Sequence, residues 1–107
     1  MFQSTLKMLD GRIAQITLEG ELDAASAGTF KSAIEEAATQ TPARLVLRVH
    51  DLRYMASAGL RVLIFAKQKM GPNVDVQIVG AQPAVKQTIA MTGFDRSVIL
   101  IDEPVLS

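Results

Sequence analysis

Along this chain the apolar residues repeatedly change their spacing, from every second position to every third or fourth and back. No other feature narrows the fold as much. A period of two makes a half-buried strand, and a period near that of a helical turn makes an amphipathic helix. Phe2, Ser4, Leu6 and Met8 alternate with Gln3, Thr5 and Lys7. Asp10-Gly11 then offers a tight turn, because glycine accepts the positive φ that such turns need. Ala14, Ile16, Leu18 and Leu22 resume the alternation, with Gln15, Thr17, Glu19 and Glu21 on the other side. The first two strands should therefore run antiparallel. Whether they pair directly, or a later strand lies between them, is open at this stage.

Helical spacing begins at Asp23, whose carboxylate can accept from free backbone N–H groups and meet the positive end of a helix dipole. Ala27, Phe30, Ile34, Ala37 and Ala38 form the apolar side, Lys31, Glu35 and Glu36 the polar one, and Thr41-Pro42 is the stop. Leu45, Val46, Leu47 and Val49 read as a third strand. A second helix is predicted from about Ser57 to Met70, ended by Gly71-Pro72. Val74, Val76 and Ile78 alternate with Asp75 and Gln77 as a fourth strand. Pro83 suits the first position of a third helix with Val85 and Ile89 inside, and Gly93 closes it. Val98 to Ile101 make a last short strand, and Asp102 to Ser107 a tail or short cap.

The resulting order, β-β-α-β-α-β-α-β, predicts an α/β fold. Strands separated by helices imply parallel crossovers, so the sheet should be mixed, with an antiparallel element from the first strand. At 107 residues, 49% of them apolar, the chain can fill one core without staples. A single domain over residues 1–107 is expected.

Several function classes recede. With no cysteine, disulfides and thiolate metal sites are excluded, which fits a reducing compartment. Polar residues interrupt Met1 to Asp10 too often for a signal peptide or a span, so a cytoplasmic protein without membrane insertion is expected. Lys plus Arg equals Asp plus Glu at 11 each, whereas a nucleic-acid binder normally carries a basic surplus. Within that balance, Arg44, Arg48, Arg53 and Arg61 lie close in sequence, opposed there only by Asp51. The glycines form no phosphate-cradling motif, and His50 is the lone histidine, so no histidine pair can hold a metal. Ser57, His50 and Asp51 could be drawn as a triad. G-x-S-x-G is absent, however, and a hydrolase needs more chain to enclose a substrate. No catalytic residue, cofactor or metal is assigned, and the chain is not expected to be an enzyme.

The informative segment is Arg53-Tyr54-Met55-Ala56-Ser57-Ala58-Gly59-Leu60-Arg61-Val62-Leu63. Small residues gather where a loop passes into a helix, leaving backbone and the Ser57 hydroxyl accessible. Two readings follow from the residues alone. Ser57 could be an N-cap bonding an N–H one turn in, or a phosphorylation site whose phosphate would be stabilised by the helix N-terminus.

Tyr54 to Leu63 resembles the motif of the anti-sigma factor antagonists, the STAS-domain proteins of bacterial partner-switching systems. Their pattern is an aromatic-aliphatic pair, Asp or Ser, the phosphorylatable Ser, a small residue and Gly-Leu. Gly20-Glu21-Leu22-Asp23 is similar to the family's passage from second strand to first helix, and the element order matches the STAS fold. The resemblance implies a monomeric, phospho-switchable binding module. Unphosphorylated, it would bind an ATP-using anti-sigma factor serine kinase; phosphorylation of Ser57 would release it, and a serine phosphatase would reset it. Ala56 and Ala58 depart from the more polar residues of many members. The partner-binding residues implied are Met55, Ala56, Ser57, Ala58 and Gly59, with Asp23 matching an acidic residue beside the serine. A non-switching STAS subunit of a lipid-transport or scaffolding assembly is the alternative.

Three further residues are assigned to the partner surface on position. Arg53 and Arg61 flank Ser57 and could meet an acidic surface or steady the phosphate. In the second helix, Leu60, Leu63, Ala66 and Met70 share an arc that should face the sheet, with Ile64 at its boundary. Phe65 falls among Arg61, Gln68 and Lys69 on the polar arc, so it is expected to be at least partly exposed there.

Overall fold

The computed structural model describes residues 1–10 and 12–101. The expected turn glycine at 11 and the tail from 102 lie outside the described residues. The elements are β1 (Gln3–Leu9), β2 (Ile13–Leu22), α1 (Ala27–Ala38), β3 (Arg44–Met55), α2 (Ser57–Met70), β4 (Asp75–Val79), α3 (Pro83–Met91), a 3₁₀ turn (Phe94–Arg96) and β5 (Ile99–Ile101). This is the mixed α/β order that the spacing predicts.

The sheet runs β1-β2-β3-β4-β5 in space as in sequence. β1 pairs directly and antiparallel with β2, Leu6 opposite Ile16. The other pairings are all parallel, as helical crossovers require. Ile16, Leu47 and Ile78 lie side by side across the three central strands. They are buried together with Phe30 and Ile34 of α1, Leu60, Leu63 and Ala66 of α2, and Val85 and Ile89 of α3. One cluster thus joins all three helices to one face of the sheet. Each of the larger side chains among them contributes about 1.5–3 kcal/mol on burial. On the other face, the row Gln15, Val46, Gln77 and Ile99 stays at least partly exposed.

Two boundaries differ from expectation. Asp23 does not open α1, which begins at Ala27. Its carboxylate accepts from the Ser26 N–H at 3.0 Å and the Ser26 hydroxyl at 2.8 Å, and the Ser26 oxygen accepts the Asp23 N–H at 2.9 Å. Short polar side chains that bond backbone three residues away favour a turn over a helix, and here they delay the helix by one turn. The second difference is β3, which continues past Val49 to Met55. Its pairing with β2 jumps between Thr17/Arg48 and Glu19/Asp51, and again between Gly20/Leu52 and Glu21/Tyr54. Each jump leaves one extra residue on β3. Such bulges bend a strand and re-aim its side chains, and they break the alternation that would have revealed the strand's length.

Candidate functional site

The serine segment is fastened where two parallel strands end together. Leu22 and Met55 are opposite one another, both buried, and the Ala56 N–H donates to the Leu22 carbonyl at 2.8 Å. Ala56 is still extended (φ −81°, ψ 170°), and the helix begins at the next residue. Gly59 makes the junction possible. A Cβ there would come within 2.6 Å of Leu22 Cγ and 2.7 Å of Leu22 Cδ2. Glycine lets the first turn of α2 settle onto the end of β2.

Ser57 is therefore the first helical residue and not the cap, a position that Ala56 fills without a side-chain hydrogen bond. The capping reading of Ser57 is corrected: the extended backbone ends one residue earlier, because Ala56 is tied to β2. Ser57 is exposed, and Ala56 and Ala58 are half-buried. The first helical bond runs from the Leu60 N–H to the Ala56 carbonyl at 3.1 Å. The N–H groups of Ser57, Ala58 and Gly59 precede it and have no intrahelical acceptor. The first turn contains no acidic residue. Exposed hydroxyl, free donors and the positive end of the dipole meet at one point, a setting that accommodates an added phosphate.

Asp23 directly follows Leu22 and is exposed, at the strand end to which Ala56 is tied. The Ser26 hydroxyl, then the Ser26 N–H, holds its carboxyl below the ordinary carboxylate range. A fixed negative charge thus stands at the neighbouring strand end. Arg53 is exposed but already engaged, its Nη2 2.6 Å and its Nε 3.2 Å from Glu21 Oε2. Glu21 also receives the amino group of Met1 at 3.1 Å. Arg53, and secondarily that amino group, lowers the Glu21 pKa, and Glu21 in turn raises that of Arg53.

The four arginines therefore do not form one basic cluster. Glu21, distant in sequence, neutralises Arg53. Arg44 and Arg48 pair with the early part of β2, and Arg61 stands alone on α2. His50 is also remote in role. Its ring packs on Gly80, and its carbonyl accepts from Gln82 Nε2 at 2.7 Å, so it joins β3 to the approach to α3. A hollow of ≈ 440 Å³ opens between Gln3, Glu19, Asp51, Arg53 and Gln82, with Ser57 outside its lining. Among the described residues no group of three or more histidines or carboxylates is placed to hold a metal. No described helix is long and apolar enough to cross a membrane.

Of the other residues expected at the site, Arg61 is exposed, whereas Met55 and Gly59 point inward and support the segment from beneath. Phe65 is half-buried, as expected of a partly exposed residue. Its ring packs against the core, with Lys31 Nζ of α1 4.9 Å from the centroid. Three residues of this region went unassigned: Glu21, Tyr54 and Ile64. Tyr54 is 50% exposed and Ile64 36%. The aromatic-aliphatic pair of the motif already contained Tyr54, but only the second bulge explains why it turns outward beside Glu21 while Met55 turns in.

The sequence profile of the STAS domain matches residues 8–105. The chain is 26% identical to the anti-sigma-F factor antagonist RsfB of Mycobacterium tuberculosis over 85 residues, 79% of this chain and 70% of that one. The crystal structure of an anti-sigma factor antagonist from Mycobacterium paratuberculosis superposes with a TM-score of 0.86 at 25% identity, over 99% of this chain and 88% of that one. The Bacillus cell fate determinant SpoIIAA, in its phosphorylated form, shares the fold at a TM-score of 0.75 and 17% identity, over 96% and 93% of the two chains. The chain belongs to the STAS domain family.

Proposed function

We propose that this protein is an anti-sigma factor antagonist, a phospho-switchable binding module of a partner-switching system in the bacterial cytoplasm. As an unmodified monomer it binds a kinase-type anti-sigma factor. That kinase transfers the terminal phosphoryl group of ATP to Ser57 Oγ, with loss of the hydroxyl proton and departure of ADP, and binding ends. A serine phosphatase hydrolyses the ester and restores the binding form.

The observation that carries this reading is the exposed Ser57 at the first position of a 14-residue helix, with three unused N–H donors around it. A phosphate there is stabilised by those donors and the dipole, so the modified protein stays folded. The switch then acts in the contact itself, where a double negative charge replaces a small neutral group against the partner. Ala56, Ala58, Arg61 and Asp23 border the serine on the partner side, with Arg53 at the rim. The names of the relatives, an anti-sigma-F factor antagonist among them, support the same reading.

Incubation with purified ATP-using anti-sigma factors and ATP, followed by intact mass, tests it. The expected result is one added phosphoryl group, absent from Ser57→Ala. Phosphorylation of Ser57→Ala to the same extent would exclude Ser57 as the switch. A protein that no such kinase modifies or binds would leave the non-switching subunit role instead.

A further inference from the structure

The solvent side of α2 has a composition that neither the core nor helix propensity explains. At about 100° per residue, Ser57, Arg61, Ile64 and Gln68 fall within one arc of about 60°. All four are exposed, and the arc lies opposite Gly59, Leu63 and Ala66, which are buried. Ile64 is therefore an apolar side chain on the water-facing stripe, at the edge nearest the buried Leu60. At 36% it is more exposed than its neighbour Phe65, which is half-buried and packed against the core. Isoleucine is β-branched and a poorer helix former than the straight-chain polar residues around it, so the helix itself gains nothing from it.

Exposed apolar residues standing singly need no explanation. Ile64 is set apart because it shares its exposed stripe with Ser57, two turns along the same helix. Ile64 lies seven residues on from Ser57, a rise of about 10 Å along the helix. Ser57 and Ile64 fit under one ordinary protein contact, which covers about 800 Å² per partner. Arg61 lies in the same arc, between Ser57 and Ile64 in sequence, with no acidic residue of its own chain on the stripe.

We infer that Ile64 is the apolar anchor of the partner surface. It seats in an apolar socket on the anti-sigma factor, with a partner carboxylate at the socket's edge meeting Arg61. This rests on the function proposed above, and it places the anchor on Ile64 and not on Phe65, whose ring is turned toward α1 and the core.

The test titrates each purified ATP-using anti-sigma factor of the source genome with the full chain and its variants, alongside thermal melts. Ile64→Ala, Ile64→Gln and Arg61→Glu should each weaken binding about tenfold or more with the melting temperature unchanged. Phe65→Ala should melt lower and bind within about threefold of wild type. If the Ile64 variants bind as tightly as wild type, the anchor is wrong while the proposed function stands. If wild type binds none of these proteins, both fall together.

Discussion

A Cβ placed on Gly59 would lie 2.6 Å from Leu22 Cγ, so the start of α2 and the end of β2 touch with no room for a methyl group between them. Leu22 is fully buried, and Met55 Cγ lies 3.2 Å away on the other side. Gly59→Ala sets two effects against each other. Alanine in a helix gains about 1 kcal/mol over glycine. Overpacking a fixed core costs about 1–3 kcal/mol. The clashing atom is the branch point of Leu22 and not the end of a flexible chain, so the cost should win. A net loss of about 1–2 kcal/mol is expected in a urea titration. Gly28→Ala is the control. Gly28 lies in the first turn of α1 with nothing within 4 Å of its Cβ position, and alanine there should stabilise by about 0.5 kcal/mol.

The contrast between these glycines shows where sequence patterns carry information. Periodicity, with apolar runs at β3 and β5 and Gly or Pro stops between elements, located the five strands and three α-helices. The length of β3 was hidden because two bulges interrupt the alternation at Arg48–Asp51 and Leu52–Tyr54. Ser57 could be recognised as a candidate switch from small residues at a helix start, yet its rank as first helical residue depends on the Ala56–Leu22 hydrogen bond between distant segments. The Arg53–Glu21 pair escaped for the same reason, as 32 residues separate its members. Phe65 is partly exposed, as its place on the polar arc of α2 predicts, but the Lys31 ammonium over its ring comes from α1 and leaves no trace in the spacing of α2.

Phe65 and Lys31 should prove coupled. Truncating a half-buried ring that packs against the core removes apolar burial, so Phe65→Ala is expected to destabilise by about 1–2 kcal/mol. Lys31→Ala should cost about 0.5 kcal/mol through the lost cation–ring contact. In the double variant the Lys31 change should cost nothing more, because its ring is gone. Denaturant titration of the four proteins gives the coupling directly, and strict additivity would show that the ammonium position carries no energy.

Glu21 and Asp23 predict how the strand end responds to acid. Both carboxyls lie below their ordinary values of 4.5 and 3.8, Glu21 chiefly through the Arg53 hydrogen bond and Asp23 chiefly through the Ser26 hydroxyl. A carboxyl with a depressed folded-state pKa binds protons more readily when the chain is unfolded. Its stabilising effect is therefore complete above the unfolded value and disappears as pH falls through the folded one. Melting temperature should be flat from about pH 6 to pH 8 in respect of these groups and decline below about pH 4.5. Glu21→Gln and Asp23→Asn should each make that acid decline shallower while lowering stability near neutrality. Both groups are exposed, so the effects are small and should shrink further in salt. An acid decline unchanged in both variants would place its origin elsewhere in the chain.

Ser57→Asp should move stability and binding in opposite directions, and this separates a switch from a structural serine. Aspartate at the first position of α2 meets unused N–H donors and the positive end of the dipole, in a turn that holds no acidic residue of its own. It should raise stability by about 0.3–1 kcal/mol. The same charge enters a contact fitted to a neutral hydroxyl, and a loss of about 2–3 kcal/mol there weakens binding roughly 30- to 150-fold. Ser57→Ala should keep wild-type affinity and bind constitutively, because no cap is lost when Ala56 already holds that position. Aspartate carries less charge than a phosphate, so the phosphorylated protein should show the larger loss. Paired melts and titrations of the four forms decide the matter. If Ser57 were only structural, destabilisation would accompany weaker binding. A variant that melts higher and binds less can only have lost the contact.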